Sequence, residues 1–484
     1  MTTMLNTLID EGKTGLFIGG EWQDGSSSID VIDPATEDLL AAVGAANAVE
    51  ANQALDAAAD SAASWAATAP RQRAEILRKT FELMIEHEEA IAELIVLENG
   101  KAFPDALGET RYAAEFFRWF SEEAVRIGGE VRLAPAGDKR IMTMSQPVGI
   151  SVLITPWNFP AAMATRKLGP ALAAGCTTIL KPASDTPLTT LAIVHLMQQA
   201  GLPAGVVNIM SARGSSDAVD TLLSDSRVRK LSFTGSTAVG RMLLAKAADQ
   251  VLKTSMELGG NAPFIVFDDA DIDDAIAGAM VAKMRNAGEA CTAANRIMVH
   301  ESIAKEFTDK LSSAMSSLKM GPGIDRSTQV GPMVNRKSRD EIAELVELAT
   351  NDGAKVVTGG TIPDHKGFFY APTVLNNVKP GDAILKTEIF GPVAPVVTFN
   401  TDDEAIAMAN DTEYGLISYI YTGDLSRGLR VSEAMESGMV GLNRGLVSDP
   451  AAPFGGFKQS GVGREGGFEG IHEFLETKYI AVNW

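Results

Sequence analysis

Two side chains in this sequence have the type and setting for covalent chemistry on a carbonyl. Of its two cysteines, Cys176, in Ala174-Gly175-Cys176-Thr177, reads as a packed core residue. Cys291 lies instead in Asn286-Ala287-Gly288-Glu289-Ala290-Cys291-Thr292, among small and polar neighbours that favour access over packing. A thiolate there attacks a carbonyl carbon, provided its pKa is lowered or a base stands near. Glu257, in Met256-Glu257-Leu258-Gly259-Gly260-Asn261, sits at a strand end and is followed by glycines, a placement that turns a carboxylate toward a cleft. As general base for a hydrolytic step it needs a pKa raised by partial burial. In Pro156-Trp157-Asn158-Phe159-Pro160 two prolines fix a loop, so the Asn158 amide is held as donor for a developing oxyanion. Phe233-Thr234-Gly235-Ser236-Thr237 precedes a helical pattern, and backbone N–H groups with the helix dipole there suit a pyrophosphate. Gly461-Val462-Gly463-Arg464-Glu465-Gly466 spells a dinucleotide fingerprint, but it follows a loop and opens no strong helix, so it fails the structural condition of that motif. The five histidines show no metal-ligand spacing, and no metal is expected.

These residues need a frame. Residues 17–25 read as a strand and turn; 48–100 and 104–126 are helical in pattern; 128–146 is β-like around Pro135-Ala136-Gly137-Asp138, a hairpin outside the main body. From Val148 short apolar runs alternate with helical segments: strands at 150–155, 178–180, 206–210, 228–233 and 253–257, helices at 165–174, 188–200 and 240–248. That rhythm implies a doubly wound parallel sheet, whose ligands sit beyond the carboxyl ends of the strands. A second α/β segment runs from about 262 to 443 and includes a helix, 272–284, ending just before Cys291. Residues 474–482 alternate like an edge strand, which pairs either with the hairpin or with another subunit.

Taken together and in order, 156–160, Lys181-Pro182-Ala183-Ser184, 233–236, Glu257-Leu258-Gly259-Gly260, the Cys291 loop, Glu388-Ile389-Phe390-Gly391-Pro392 and Pro453-Phe454-Gly455-Gly456 resemble the aldehyde dehydrogenase superfamily over nearly the whole chain. The resemblance implies an α/β fold with a cofactor domain (1–127 and 148–257), a catalytic domain (258–445) and a small β oligomerisation element (128–147 and 470–484). It implies that Cys291 attacks the aldehyde, that Asn158 and the Cys291 N–H hold the oxyanion, and that Glu257 activates water against the thioester. Thr155, Pro156, Trp157, Lys181, Ser184, Gly235, Ser236, Glu388 and Phe390 would line the nicotinamide cofactor, with Lys181 and Glu388 on its riboses and Phe390 beside the nicotinamide. A homodimer or homotetramer follows by the same resemblance.

Within the superfamily the chain is most similar to succinate-semialdehyde dehydrogenases, through Trp157-Asn158-Phe159-Pro160-Ala161-Ala162-Met163-Ala164-Thr165-Arg166-Lys167, Lys283-Met284-Arg285-Asn286 and 458–466. Two arginines and a serine of that subfamily hold the far carboxylate, and motif by motif they fall on Arg166, Arg285 and Ser448. Paired guanidiniums suit the single feature such a substrate offers. Glutarate semialdehyde or another ω-carboxy aldehyde is the alternative, since one methylene discriminates by only about 1–3 kcal/mol. A non-catalytic relative would have lost the nucleophile or the base, and both are present. Ala293 occupies the position where some relatives carry a second cysteine, so their disulfide switch is not expected. Ser184 stands where relatives that prefer NAD often place a glutamate; with Lys181 it leaves room and donors for a 2′-phosphate, which favours NADP over NAD.

Bulk properties narrow the partners. A chain of 484 residues exceeds one hydrophobic core. Its net charge of −20 disfavours nucleic acid, and anionic substrates then need a local cationic cluster. Two distant cysteines suit a reducing compartment; no signal peptide is evident, and no apolar run approaches the ~20 residues of a membrane span, so a cytoplasmic enzyme is expected.

Overall fold

The computed structural model describes residues 3–213 and 217–483. Met1, Thr2 and Trp484, at the ends of the expected outer segments, lie outside the described residues.

Five parallel strands form the middle of an eight-stranded sheet, in the order Lys253–Glu257, Val228–Thr234, Ile150–Ile154, Thr178–Lys181 and Val207–Ile209. Ile150–Ile154 is buried at every position, as a central parallel strand covered on both faces must be. The parallel part of the sheet starts at this strand and winds first toward Val207–Ile209, then returns to its other side at Val228–Thr234. The strand order therefore reverses between Ile150–Ile154 and Val228–Thr234, and a crevice opens beyond their carboxyl ends. Antiparallel strands close both edges, Gly461–Val462 beside Lys253–Glu257 and Leu16–Ile18 with Glu21–Gln23 at the far side. This is the doubly wound sheet that the alternation implies.

The second sheet has seven strands, ordered Lys355–Thr358, Thr373–Asn376, Val393–Phe399, Ala294–His300, Ala262–Val266, Ile417–Tyr421 and Met439–Leu442. All its pairings are parallel except the first. The helix Ile272–Met284 starts at an Asp271 cap that accepts from Asp273 N and Asp274 N, and it ends seven residues short of Cys291, as expected.

Two local expectations are refined. The helical stretch 48–100 is three helices, Ala48–Ala67, Pro70–Glu86 and Glu88–Asn99. Pro70 holds Ala69 out of the helical region, and the second break falls at His87. The alternating C-terminal segment, Leu475–Val482, pairs antiparallel with Arg140–Pro147 along its whole length, and Val131–Leu133 completes the hairpin. Its partner is thus the hairpin of its own chain. No helix among the described residues is long and apolar enough to cross a membrane.

Candidate active site

A cavity of about 230 Å³ opens where the two sheets face each other. The first sheet contributes Pro156, Trp157 and Asn158 from one strand end and Gly235 and Ser236 from the next; the second contributes Arg285, Cys291, Glu388, Phe390 and Ser448. Arg166 reaches it from the buried helix Pro160–Ala174. Thr155, Lys181, Ser184 and Glu257 do not line it.

The Cys291 loop is held in a costly conformation. Asn286 and Ala287 both have φ near +51 and Gly288 has φ +80, three left-handed residues in succession. A side chain at Gly288 would run into the carbonyl of Gly391. Such backbone persists only when its surroundings over-determine it. Here Asp105 accepts from Asn286 N at 2.8 Å, and Tyr419 Oη donates to Thr292 O at 2.8 Å. Burial pushes the Cys291 thiol up to about 12; Arg166 and Arg285 oppose this, while Glu388 and Glu257 add to it. As it stands the group is a thiol, and forming a thiolate requires a base or a change in its surroundings.

Asn158 is fixed by three hydrogen bonds at two of its atoms. Its Nδ2 donates to Glu289 O at 3.1 Å, leaving the second amide hydrogen and an Oδ1 without a hydrogen-bond partner. Its backbone carbonyl accepts from Lys101 Nζ at 2.8 Å and from Asn286 Nδ2 at 2.9 Å. Lys101 is neutralised by Glu109 at 2.5 Å, both fully buried, and Glu109 Oε1 also accepts from Ala161 N and Ala162 N, the first turn of the helix that carries Arg166. A carboxylate at a helix N-terminus satisfies donors that have no intrahelical partner. Asp105 and Glu109 both project from the helix Phe103–Glu123.

Glu257 differs from its expected setting. It is 2 % exposed, lies behind the cavity wall, and neither carboxylate oxygen has a hydrogen-bond partner. Burial holds its pKa well above the usual carboxylate range, and the Glu465 charge adds to that against Arg166 and Lys167. Glu465 is itself buried but kept ionised by Lys167 and Arg166, each at 2.5 Å. Arg166, expected as a free grip on substrate, is therefore already engaged by a carboxylate. Arg285 is in no ion pair among the described residues: its guanidinium lies over the Phe159 ring, 5.1 Å from the centroid, and donates to the Thr292 hydroxyl at 3.5 Å. Ser448, half-buried in the loop after Met439–Leu442, shares the cavity with it. Glu465, Lys101, Glu109 and Tyr112 escaped the sequence reading. Glu465 lies in the glycine-rich segment set aside as a phosphate loop, and its pairing along Lys253–Glu257 carries it under the site.

The cofactor candidates form a second group. Ser236 caps the helix Thr237–Ala248, accepting from Val239 N, and Gly235 has no room for a side chain against the Phe233 ring. Trp157, Ser236, Glu388 and Phe390 also border an adjoining groove of about 600 Å³. Phe390, at φ +51, meets the Trp157 indole edge-on at 5.3 Å. Glu388 accepts from Gly260 N at 2.9 Å, and burial raises its carboxyl to about 7. Burial also lowers Lys181 to about 8; its Nζ makes one long bond, to Pro182 O. Ser184 donates to Ala212 O. Lys181 and Ser184 end and follow the neighbouring strand Thr178–Lys181, so they extend the row of strand ends rather than enter the thiol cavity.

The model of the aldehyde dehydrogenase family matches residues 22–480. A succinate-semialdehyde dehydrogenase of Paenarthrobacter nicotinovorans is 56% identical over 444 residues, 92% of this chain and 99% of that protein. A glutarate-semialdehyde dehydrogenase of Pseudomonas putida is 48% identical over 470 residues, 96% of this chain and 97% of that one. The crystal structure of an Escherichia coli NADP-dependent enzyme superposes with a TM-score of 0.96 at 47% identity, covering 97% of this chain and 98% of the other.

Proposed function

The chain belongs to the aldehyde dehydrogenase family, and on that premise we propose that it oxidises succinate semialdehyde to succinate with NADP, or with NAD as the second choice. Arg285 carries this reading: a guanidinium in no ion pair among the described residues, sharing one cavity with Cys291 and Ser448. A substrate whose only remote feature is a carboxylate supplies what that cation lacks. Arg166 contributes charge from beneath, shared with Glu465.

The cofactor fits the second group of residues. A capped helix N-terminus after a side-chain-free Gly235 admits a pyrophosphate, and Trp157 and Phe390 give the adjoining groove an aromatic edge suited to a nicotinamide. Lys181 and Ser184 offer a cation and a hydroxyl for a 2′-phosphate, and Glu388 an acceptor for ribose hydroxyls. When bound, the cofactor supplies the hydride acceptor.

Cys291 releases its thiol proton to solvent water and Sγ, as the thiolate, adds to the aldehyde carbon; the oxygen, now anionic, is held by the free amide hydrogen of Asn158 and the Cys291 N–H. After oxidation the carbon is a thioester on Cys291. Glu257, once it has lost its proton, takes one from water, whose oxygen attacks the thioester; the carboxylic acid leaves and the thiol is restored. The high pKa of Glu257 makes it a strong base once ionised.

Arg285→Ala tests the substrate. The expected result is a KM for succinate semialdehyde raised at least tenfold more than that for butanal; equal changes reject the carboxylate grip. The alternative, glutarate semialdehyde, is favoured by the similarity to the Pseudomonas putida protein, and a comparison of kcat/KM for the two acids separates them. We assign the cofactor to the first sheet, catalysis to the second, and assembly into a dimer or tetramer to the three-stranded sheet, whose Val131, Leu133 and Tyr479 are exposed. Both cysteines are free thiols, in keeping with a cytoplasmic location.

A further inference from the structure

The steps above leave Tyr112 without a part in the chemistry. It projects from the helix Phe103–Glu123, its ring is set edge-on to Phe116 at 4.9 Å, and it lines the cavity together with Arg166, Arg285 and Ser448. Its hydroxyl is buried and finds no acceptor for its proton among the described residues; the Arg166 guanidinium facing it can only donate. The charges facing it are those of Arg166 and Arg285, with Glu465 behind them. An arginine has five donors and no acceptor, so neither guanidinium can take the phenolic proton. A buried hydroxyl in this position costs free energy unless something brings an acceptor. Two cations and an unsatisfied donor around one space ask for the same chemistry, an anion with several lone pairs.

We propose that Tyr112 is a specificity-determining residue, donating its hydroxyl proton to the distal carboxylate of the aldehyde alongside Arg285 and Ser448. This rests on the reading of the cavity as a site for an ω-carboxy aldehyde. The phenol complements the arginines. With Arg166 shared by Glu465, the charge available to a substrate is lower than two guanidiniums suggest, and a neutral donor adds a bond without repelling them. Its rigid ring also fixes where that bond forms, since a phenol has two soft torsions and an arginine four.

The test is Tyr112→Phe, which removes one oxygen and keeps the ring. For succinate semialdehyde kcat/KM is expected to fall about 10- to 100-fold, chiefly through KM, the effect of removing a hydrogen bond to a charged group. The fall for butanal should be at least tenfold smaller. Binding of succinate to the full-length enzyme, followed by calorimetry without turnover, should weaken by a similar factor. Equal losses for both aldehydes, unchanged succinate binding, or a large fall in Tm would each overturn the inference and leave Tyr112 as a packing residue. Arg285→Ala, run in parallel, separates the two ideas: if it too fails to distinguish the aldehydes, the substrate reading fails; if it does distinguish them and Tyr112→Phe does not, only the role of Tyr112 fails.

Discussion

Glu257 ends a strand with neither carboxylate oxygen hydrogen-bonded, and its proton therefore leaves at a higher pH than an ordinary carboxylate's. If the ionised form is the base, hydrolysis of the thioester rises as pH climbs through that elevated pKa, while the hydride step does not follow the same curve. Glu257→Gln removes the base at constant shape. It should leave a burst of reduced cofactor of about one equivalent per site, followed by a steady rate lowered some 10²–10⁴-fold; intact mass spectrometry should then find the acyl group on Cys291. Absence of both burst and adduct would remove Glu257 from that step. Lys181 gives a second pH dependence, of opposite sign. Its charge is present below about pH 8 and lost above it, so NADP should bind more weakly as pH rises through that value, and NAD much less so. Cofactor binding titrated by fluorescence at several pH values checks this. The strand-end and loop positions of Cys291, Asn158 and Glu257 were legible because each stands in a compact local motif. Glu465 was not, because its meaning lies in Lys167, 298 residues earlier, and no local spacing announces a Coulombic partner that distant.

The elements that place these groups are strand ends and the loops after them, and strand ends were the readable part. Continuous apolar runs punctuated by Gly, Pro and Asn specify them before any tertiary contact is known. The three left-handed residues before Cys291 were not readable, since Asn286 and Ala287 adopt that geometry only under outside constraint, from Asp105 and from packing against Gly391. Gly288→Ala adds a methyl both at φ +80 and against a backbone carbonyl. We expect a loss of about 1–3 kcal/mol of stability, seen as a lower Tm, together with a fall in kcat and faster alkylation of a misplaced Cys291. A variant with parental Tm and kcat would show that the loop is not under strain.

Across the whole molecule, charge and topology were legible to different degrees. Net charge is read directly, and at −20 it opposes the approach of both proposed anionic ligands. Raising ionic strength from about 0.01 to about 0.15 M shortens the Debye length from roughly 30 to roughly 8 Å, so KM for NADP should fall by roughly twofold; a rise would mean that local cations dominate the encounter. Topology was legible for the first sheet, but the pairing of Leu475–Val482 with the hairpin was one of two options that alternation alone left equal. One helix joins these scales. Asp105, Glu109 and Tyr112 recur at steps of four and three along Phe103–Glu123, on one face, and reach in turn the nucleophile loop, the oxyanion loop and the far end of the cavity. Seven residues of helix span about 10 Å and scarcely stretch. On the proposed reading of the cavity, the molecule carries a fixed gauge under its site, and how many carbons may separate the reacting group from the acid end would be set by the pitch of that helix.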